Sequence, residues 1–165
     1  MKENNVLFLT QAALIAAVYV VLCVVFAPIS YGEVQVRVAE ALVILPYFTP
    51  AAIPGLFIGC LLSNLIGGSI LMDVVFGSLA TLLGAVGSYY LRKNKVLVLL
   101  PPIIANTLIV PFVLYYGYGV PLPIPFMMLT VGIGEVIAVA VLGTILLNVL
   151  NRYRGVLFGT PKLLS

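Results

Sequence analysis

The stretch ALVILPYFTPAAIPGLFIGCLLSNLIGGSILM, residues 41–72, decides the fold. No charge interrupts it, and it is too long for a single membrane helix of roughly 20 apolar residues. Pro46, Pro50 and Pro54 fall in it at four-residue spacing. A proline lacks the N–H that a helix interior needs and restricts the residue before it. The chain therefore breaks near Phe48–Ala51, with a short helix on either side, about 36–48 and 52–66, and Gly67–Gly68 ends the second. The alternative is one helix with a re-entrant segment near 45–55.

Further uncharged stretches run 4–32, 74–91, 96–134 and 136–151. The first holds a helix over about 6–27, ended by Pro28 and the Tyr31–Gly32 turn. A fourth helix covers about 72–91 and stops at Arg92-Lys93-Asn94-Lys95. The fifth runs about 97–117, the segment Gly117–Pro125 forms a loop, and the sixth spans about 126–151. The expected fold is an all-α integral membrane protein, a single domain of six transmembrane helices.

Composition agrees. The 165 residues are 63% hydrophobic and 8% charged, with a mean hydropathy of +1.25. Soluble domains carry about a quarter charged residues, so thirteen charges cannot cover a water-facing surface. Histidine is absent, which removes the commonest general base and metal ligand. Cys23 and Cys60 have no CxxC spacing and read as small core residues, so no metal or other cofactor is expected. None of the four lysines follows a glycine, so the chain has no phosphate-binding GxxxxGK[ST] loop. Any uphill transport would draw on a partner or an ion gradient. The length is short for a transporter of two inverted repeats.

Orientation follows from the cations. Lys2, Arg92, Lys93, Lys95, Arg152, Arg154 and Lys162 fall on one side if the spans are even in number, which makes both termini cytoplasmic. The first helix reads as retained, because its apolar run is long and its basic flank weak for a cleaved signal. The net charge of +3 is accounted for by this topology and implies no nucleic-acid partner.

On the opposite side lie Glu33, Arg37, Glu40, Asp73 and Glu135. Ionisable groups in a bilayer are costly and usually line cavities or pair with one another. Arg37 is spaced to pair with Glu33 at i−4 and Glu40 at i+3, as a clamp on the loop. Asp73 and Glu135 have no local partner. Glu135 lies nine residues past Phe126, roughly 14 Å at 1.5 Å per residue. Asn106 sits at a comparable depth in helix five, Asn64 near the end of helix three, and Asp73 at the start of helix four. Glu40, Asn64, Asp73, Asn106 and Glu135 can thus converge on one outward pocket suited to a cation or a ligand rich in N–H donors. Each has a simpler role: Asp73 as a helix cap, Asn64, Asn106 and Glu135 as hydrogen-bonding glue between helices. Tyr31, Phe76, Tyr115, Tyr116, Tyr118 and Phe126 read as an interfacial belt. Ala12, Ala13, Ala16 and Ala17 give overlapping small-xxx-small pairs, which permit close helix approach, either within the bundle or to a partner.

Several segments resemble the signature of QueT-type proteins. These are Tyr31-Gly-Glu-Val-Gln-Val-Arg37-Val-Ala-Glu40-Ala-Leu with Leu45-Pro46, Gly59-Cys-Leu-Leu-Ser-Asn64, and Asp73-Val-Val-Phe-Gly77-Ser-Leu-Ala-Thr-Leu-Leu-Gly. Asn106 in its proline-rich helix and Gly134-Glu135 complete the pattern. The resemblance implies a substrate-binding S component of an energy-coupling-factor transporter in a bacterial cell membrane. It implies a 7-deazaguanine substrate, such as the aminomethyl queuosine precursor or queuine. The partners it implies are a membrane scaffold subunit and two cytoplasmic ATPases, with the chain itself no enzyme. The alanine stripe, Ala12 with Ala16 or Ala13 with Ala17, then resembles the docking surface for the scaffold. Other readings are an S component for another vitamin, or a stand-alone ion-coupled permease.

Overall fold

A computed structural model describes residues 2–27 and 37–157. The described residues form helices and no strand: α1 (Lys2–Val25), α2 (Val38–Tyr47), α3 (Ala52–Ile66), α4 (Leu71–Tyr90), α5 (Leu97–Gly117) and α6 (Ile124–Arg152), then the four-residue α7 (Arg154–Leu157). Four of these, α1, α4, α5 and α6, are long and apolar enough to cross a membrane; α2 and α3 are shorter apolar helices. The break at Phe48–Ala51 is as the prolines dictate, and α3 has the expected bounds.

Two features of winding were not expected. α2 is a 3-10 helix for all ten of its residues, with Pro46 inside it and every residue from Ala39 to Pro46 buried. Such runs usually stop after three or four residues, and this one is enclosed by its neighbours. α5 and α6 are α-helical with π-helical segments, at Val113–Gly117 and at Val136–Leu142 directly after Glu135. Only Val113 is buried in the first of these segments, and Ala138 and Val139 in the second.

The helices alternate in direction, and contacts across the turns identify two ends. At one end Thr49 donates to Gln11 (2.9 Å), Ser88 donates to the Val98 carbonyl (2.7 Å), and the Arg154 guanidinium lies 5.9 Å from the rings of Tyr47 and Phe48. Arg92, Lys93, Lys95 and Arg152 are at this basic end. At the other end are Arg37, Asp73 and the α5–α6 loop. Gly68 turns the chain from α3 toward α4 with φ +72°, a left-handed conformation that glycine adopts without strain.

Glycines set two close helix seams. A Cβ at Gly55 would sit 2.7 Å from the Ala12 carbonyl oxygen, and one at Gly59 would sit 2.8 Å from Tyr19 Cβ and 3.1 Å from Ala16 Cα, so α1 and α3 meet almost backbone to backbone. Along α4 and α5, Gly84 and Gly87 receive Pro102 and Pro101 in the same way. Small residues allow this approach, and dispersion contacts reward it. The apolar core gathers Ile15, Tyr19, Cys23, Val43, Leu56 and Cys60, with a second cluster of Ile44, Val98, Val139 and Leu147.

The alanine stripe on α1 divides between two faces. Ala12 and Ala16 are buried against Gly55 and Gly59, whereas Ala13 and Ala17 are exposed. The Ala12–Ala16 pair therefore packs inside the bundle.

Candidate functional site

Four charged side chains are buried in the described residues: Arg37, Glu40, Asp73 and Glu135. Two polar clusters hold them. The first centres on Glu40, fully buried on α2. Tyr19 of α1 donates a 2.5 Å hydrogen bond to Glu40 Oε1, and the Asn106 amide of α5 donates to Oε2 at 3.3 Å. The Thr81 hydroxyl of α4 lies 3.3 Å from Oε1 and 3.2 Å from the Gly77 carbonyl, two acceptors for its one proton. Asn106 also lies against Glu135 of α6. One carboxylate thus gathers donors from α1 and α5, with α4 in reach. Such charge-assisted bonds are about twice as strong as neutral ones.

The second cluster lies nearer the end opposite the basic residues. Arg37 pairs with Asp73 Oδ2 at 3.4 Å, and Tyr118 donates to the same oxygen at 3.1 Å. Asn64 Nδ2 donates to the Asp73 backbone carbonyl at 3.3 Å and approaches Cys60 Sγ at 3.7 Å. Cys60 Sγ is also 3.4 Å from Thr81 Oγ1, so the two clusters adjoin. Gly77 is the floor between Asp73 and Asn64: a Cβ there would be 2.8 Å from Asp73 Oδ1.

Several readings from spacing are corrected. Arg37 does not pair with Glu40; it reaches Asp73, 36 residues away. Arg37 is the extended residue preceding α2 (φ −81°, ψ 95°), so helical i+3 geometry does not apply to it. Glu33, and Tyr31 of the aromatic belt, lie outside the described residues. Asp73 is not the cap of α4; Ile70 holds that position without a side-chain cap bond. Tyr118 is more than belt, since its hydroxyl holds Asp73, while Phe76, Tyr115, Tyr116 and Phe126 are exposed as a belt would be. Asn64 does tie α3 to α4. The single set of five polar residues is in fact two adjoining groups, Glu40–Asn106–Glu135 and Asn64–Asp73.

Tyr19 and Thr81 were missed by sequence reasoning. Tyr19 had a signal: a phenol in the middle of an apolar helix needs a hydrogen-bond partner when buried. Thr81 had none, because a hydroxyl can bond its own helix, as Ser78 does to the Val74 carbonyl at 2.6 Å.

Two carboxylate oxygens in these clusters are buried with no hydrogen-bond partner among the described residues, Asp73 Oδ1 and Glu135 Oε2. Native structures rarely leave such atoms unsatisfied, so each calls for a partner such as a water, an ion or a ligand. A separate groove of about 250 Å³ between α4 and α5 is lined by Met72, Phe76, Leu108, Ile109, Phe112, Val113 and Tyr116. It is almost wholly apolar and includes none of the candidate polar residues. No group of three metal-ligating side chains occurs among the described residues.

Carboxylates and amides enclosed among the apolar helices of a small polytopic protein mark a candidate site for function inside the membrane. A family model described as "QueT transporter" matches residues 9–152, and the chain belongs to that family. The curated queuosine precursor transporter QueT of Lactococcus lactis subsp. cremoris (strain MG1363) is 36% identical over 84 residues, which covers 50% of this chain and 49% of that protein. The match therefore spans about half the length of that relative. No solved structure matches the chain.

Proposed function

We propose that this chain is the membrane substrate-binding subunit of an energy-coupling-factor importer for a queuosine precursor, a 7-deazaguanine such as the aminomethyl base or queuine. The observation that carries this reading is the pair of unpartnered, buried carboxylate oxygens, Asp73 Oδ1 and Glu135 Oε2, in a member of the QueT transporter family. A guanine edge presents N1–H and an exocyclic amine, and an aminomethyl group is a cation near neutral pH. Carboxylates accept from both. In this reading Glu135 or Glu40 takes the guanine edge, Asp73 or the other glutamate takes the amine, and Asn64 and Asn106 take the remaining ring atoms, with Arg37 holding Asp73 in place.

The chain has no ATP-binding loop of its own, so a membrane scaffold subunit and two cytoplasmic ATPases drive the cycle, and the chain is a transport subunit rather than an enzyme. The exposed Ala13 and Ala17 form the docking stripe for the scaffold; Ala12 and Ala16 support it from inside. In this reading the basic end of the bundle faces the cytoplasm of a bacterial cell, and both termini are cytoplasmic.

The test is equilibrium binding of the aminomethyl 7-deazaguanine to purified protein in detergent. Glu135→Gln, Asp73→Asn and Asn106→Ala each weaken binding if these residues line the pocket. Wild-type affinity in all three variants overturns the assignment, and no binding to the wild type overturns the substrate.

A further inference from the structure

Among the described residues the buried charges do not balance: Arg37 stands against Glu40, Asp73 and Glu135. Arg37 supplies the cation for Asp73, and Glu40 is held by Tyr19 and Asn106 with Thr81 in reach. Glu135 is 4% exposed, and its Oε2 has no hydrogen-bond or ion-pair partner among the described residues. It shares Asn106 with Glu40, so a second carboxylate lies across one amide from it. An uncompensated carboxylate beside another, away from water, is strongly unfavourable. A proton on Glu135 relieves this in the free protein, and positive charge from outside the chain can take the place of that proton when a ligand binds.

We propose that Glu135 Oε2 receives the positively charged group of the ligand, and that Glu135 is the residue by which the site distinguishes a cationic ligand from an uncharged one with the same ring. This rests on the reading of the substrate as a 7-deazaguanine. It narrows that reading, because Glu40 and Glu135 no longer exchange roles. Glu40 has protein donors on both oxygens, whereas Glu135 presents a bare one. The ring edge falls to Asp73 Oδ1, whose charge Arg37 already balances and which lies beside Asn64 and the bare backbone at Gly77. A neutral N–H donor suffices there.

Two probes that share the ring and differ in charge test the assignment, 7-aminomethyl-7-deazaguanine and 7-cyano-7-deazaguanine. Binding of each is measured to the wild type, Glu135→Gln and Glu135→Asp, with thermal melting to establish that each variant is folded. The wild type prefers the amine by at least about tenfold, as expected for a bond to a charged group. Glu135→Gln weakens the amine by about tenfold to a hundredfold, leaves the nitrile within about threefold, and so abolishes the preference. Glu135→Asp keeps the charge and keeps the preference; should Glu135→Gln not fold, this variant and the wild type decide. A preference that survives in Glu135→Gln, or an equal loss for both probes, overturns the assignment. Equal wild-type affinity for the two probes overturns it as well and leaves the proposed function standing. A wild type that binds neither probe overturns both.

Discussion

Gly59→Ala tests whether the α1–α3 seam governs both stability and the site. The new Cβ would lie 2.8 Å from Tyr19 Cβ and 3.1 Å from both the Ala16 Cα and carbonyl oxygen. Two of these atoms are backbone and cannot rotate away, so α1 must move outward by several tenths of an ångström. Overpacking of this kind costs about 1–3 kcal/mol, while replacing a helical glycine with alanine returns roughly 0.5–1 kcal/mol of helix propensity. Gly132→Ala separates the two effects. It gains the same propensity on α6, and its nearest neighbours are side-chain atoms of Thr107 at 3.4 Å, an ordinary contact. The difference between the two variants isolates the clash, and Gly59→Ala should be the less stable by about 1–3 kcal/mol. Cys23 and Cys60 are free and buried, so a thiol-reactive fluorogenic dye reports unfolding with no added label. Because α1 carries Tyr19 away from Glu40, ligand affinity should fall in the same variant and not in Gly132→Ala. Melting of Gly59→Ala at or above that of Gly132→Ala would refute the close approach.

Three further outcomes follow from the polar clusters and the α1 surface. Tyr19→Phe removes a donor to Glu40 with little change in shape and should cost about 1.5–3 kcal/mol by the same dye assay; a wild-type melting curve counts against the bond. Arg37→Ala leaves Asp73 buried without its cation, a loss on the order of 3–5 kcal/mol, and adding Asp73→Asn should restore much of it. A double variant no more stable than Arg37→Ala alone would mean that the pair is not coupled. Ala13→Trp and Ala17→Trp project from the bundle and should preserve ligand binding while abolishing uptake with the ATPase module, whereas Ala12→Trp and Ala16→Trp should fail to fold. Unimpaired uptake in the first two would remove the docking stripe from α1.

How much of this was legible in the sequence depends on the range of the interaction. The helices were, because clusters of Lys and Arg and the prolines at 46, 50 and 54 punctuate apolar runs whose lengths the bilayer dictates. The burial of Glu135 was, because a carboxylate nine residues into an apolar run lies at depth in the bundle. The Arg37–Asp73 pair was not. Spacing rules describe neighbours on one helix, and Arg37 stands just outside α2 in an extended conformation, free to cross to α4. Tyr19 was half legible: a buried phenol needs a partner, but only the structure shows that the partner is Glu40. The alanine stripe was legible as a pattern but not as a surface. Adjacent pairs differ by 100° around the helix, and only the glycines of α3 determine which pair turns inward.

The winding of α2 also fixes how far it reaches. A 3-10 helix rises about 2.0 Å per residue, so ten residues extend roughly 20 Å, close to the roughly 22 Å of the fifteen-residue α3 at 1.5 Å per residue. The two helices are therefore matched in length although their residue counts differ by half. A register error in α2 would be severe for the same reason. Deleting one residue after Glu40 would withdraw its far end by about 2 Å and rotate it by about 120°, detaching the enclosed apolar side chains from their places while Glu40 held its own. The segment that anchors the central carboxylate thus has little room to absorb insertions and deletions.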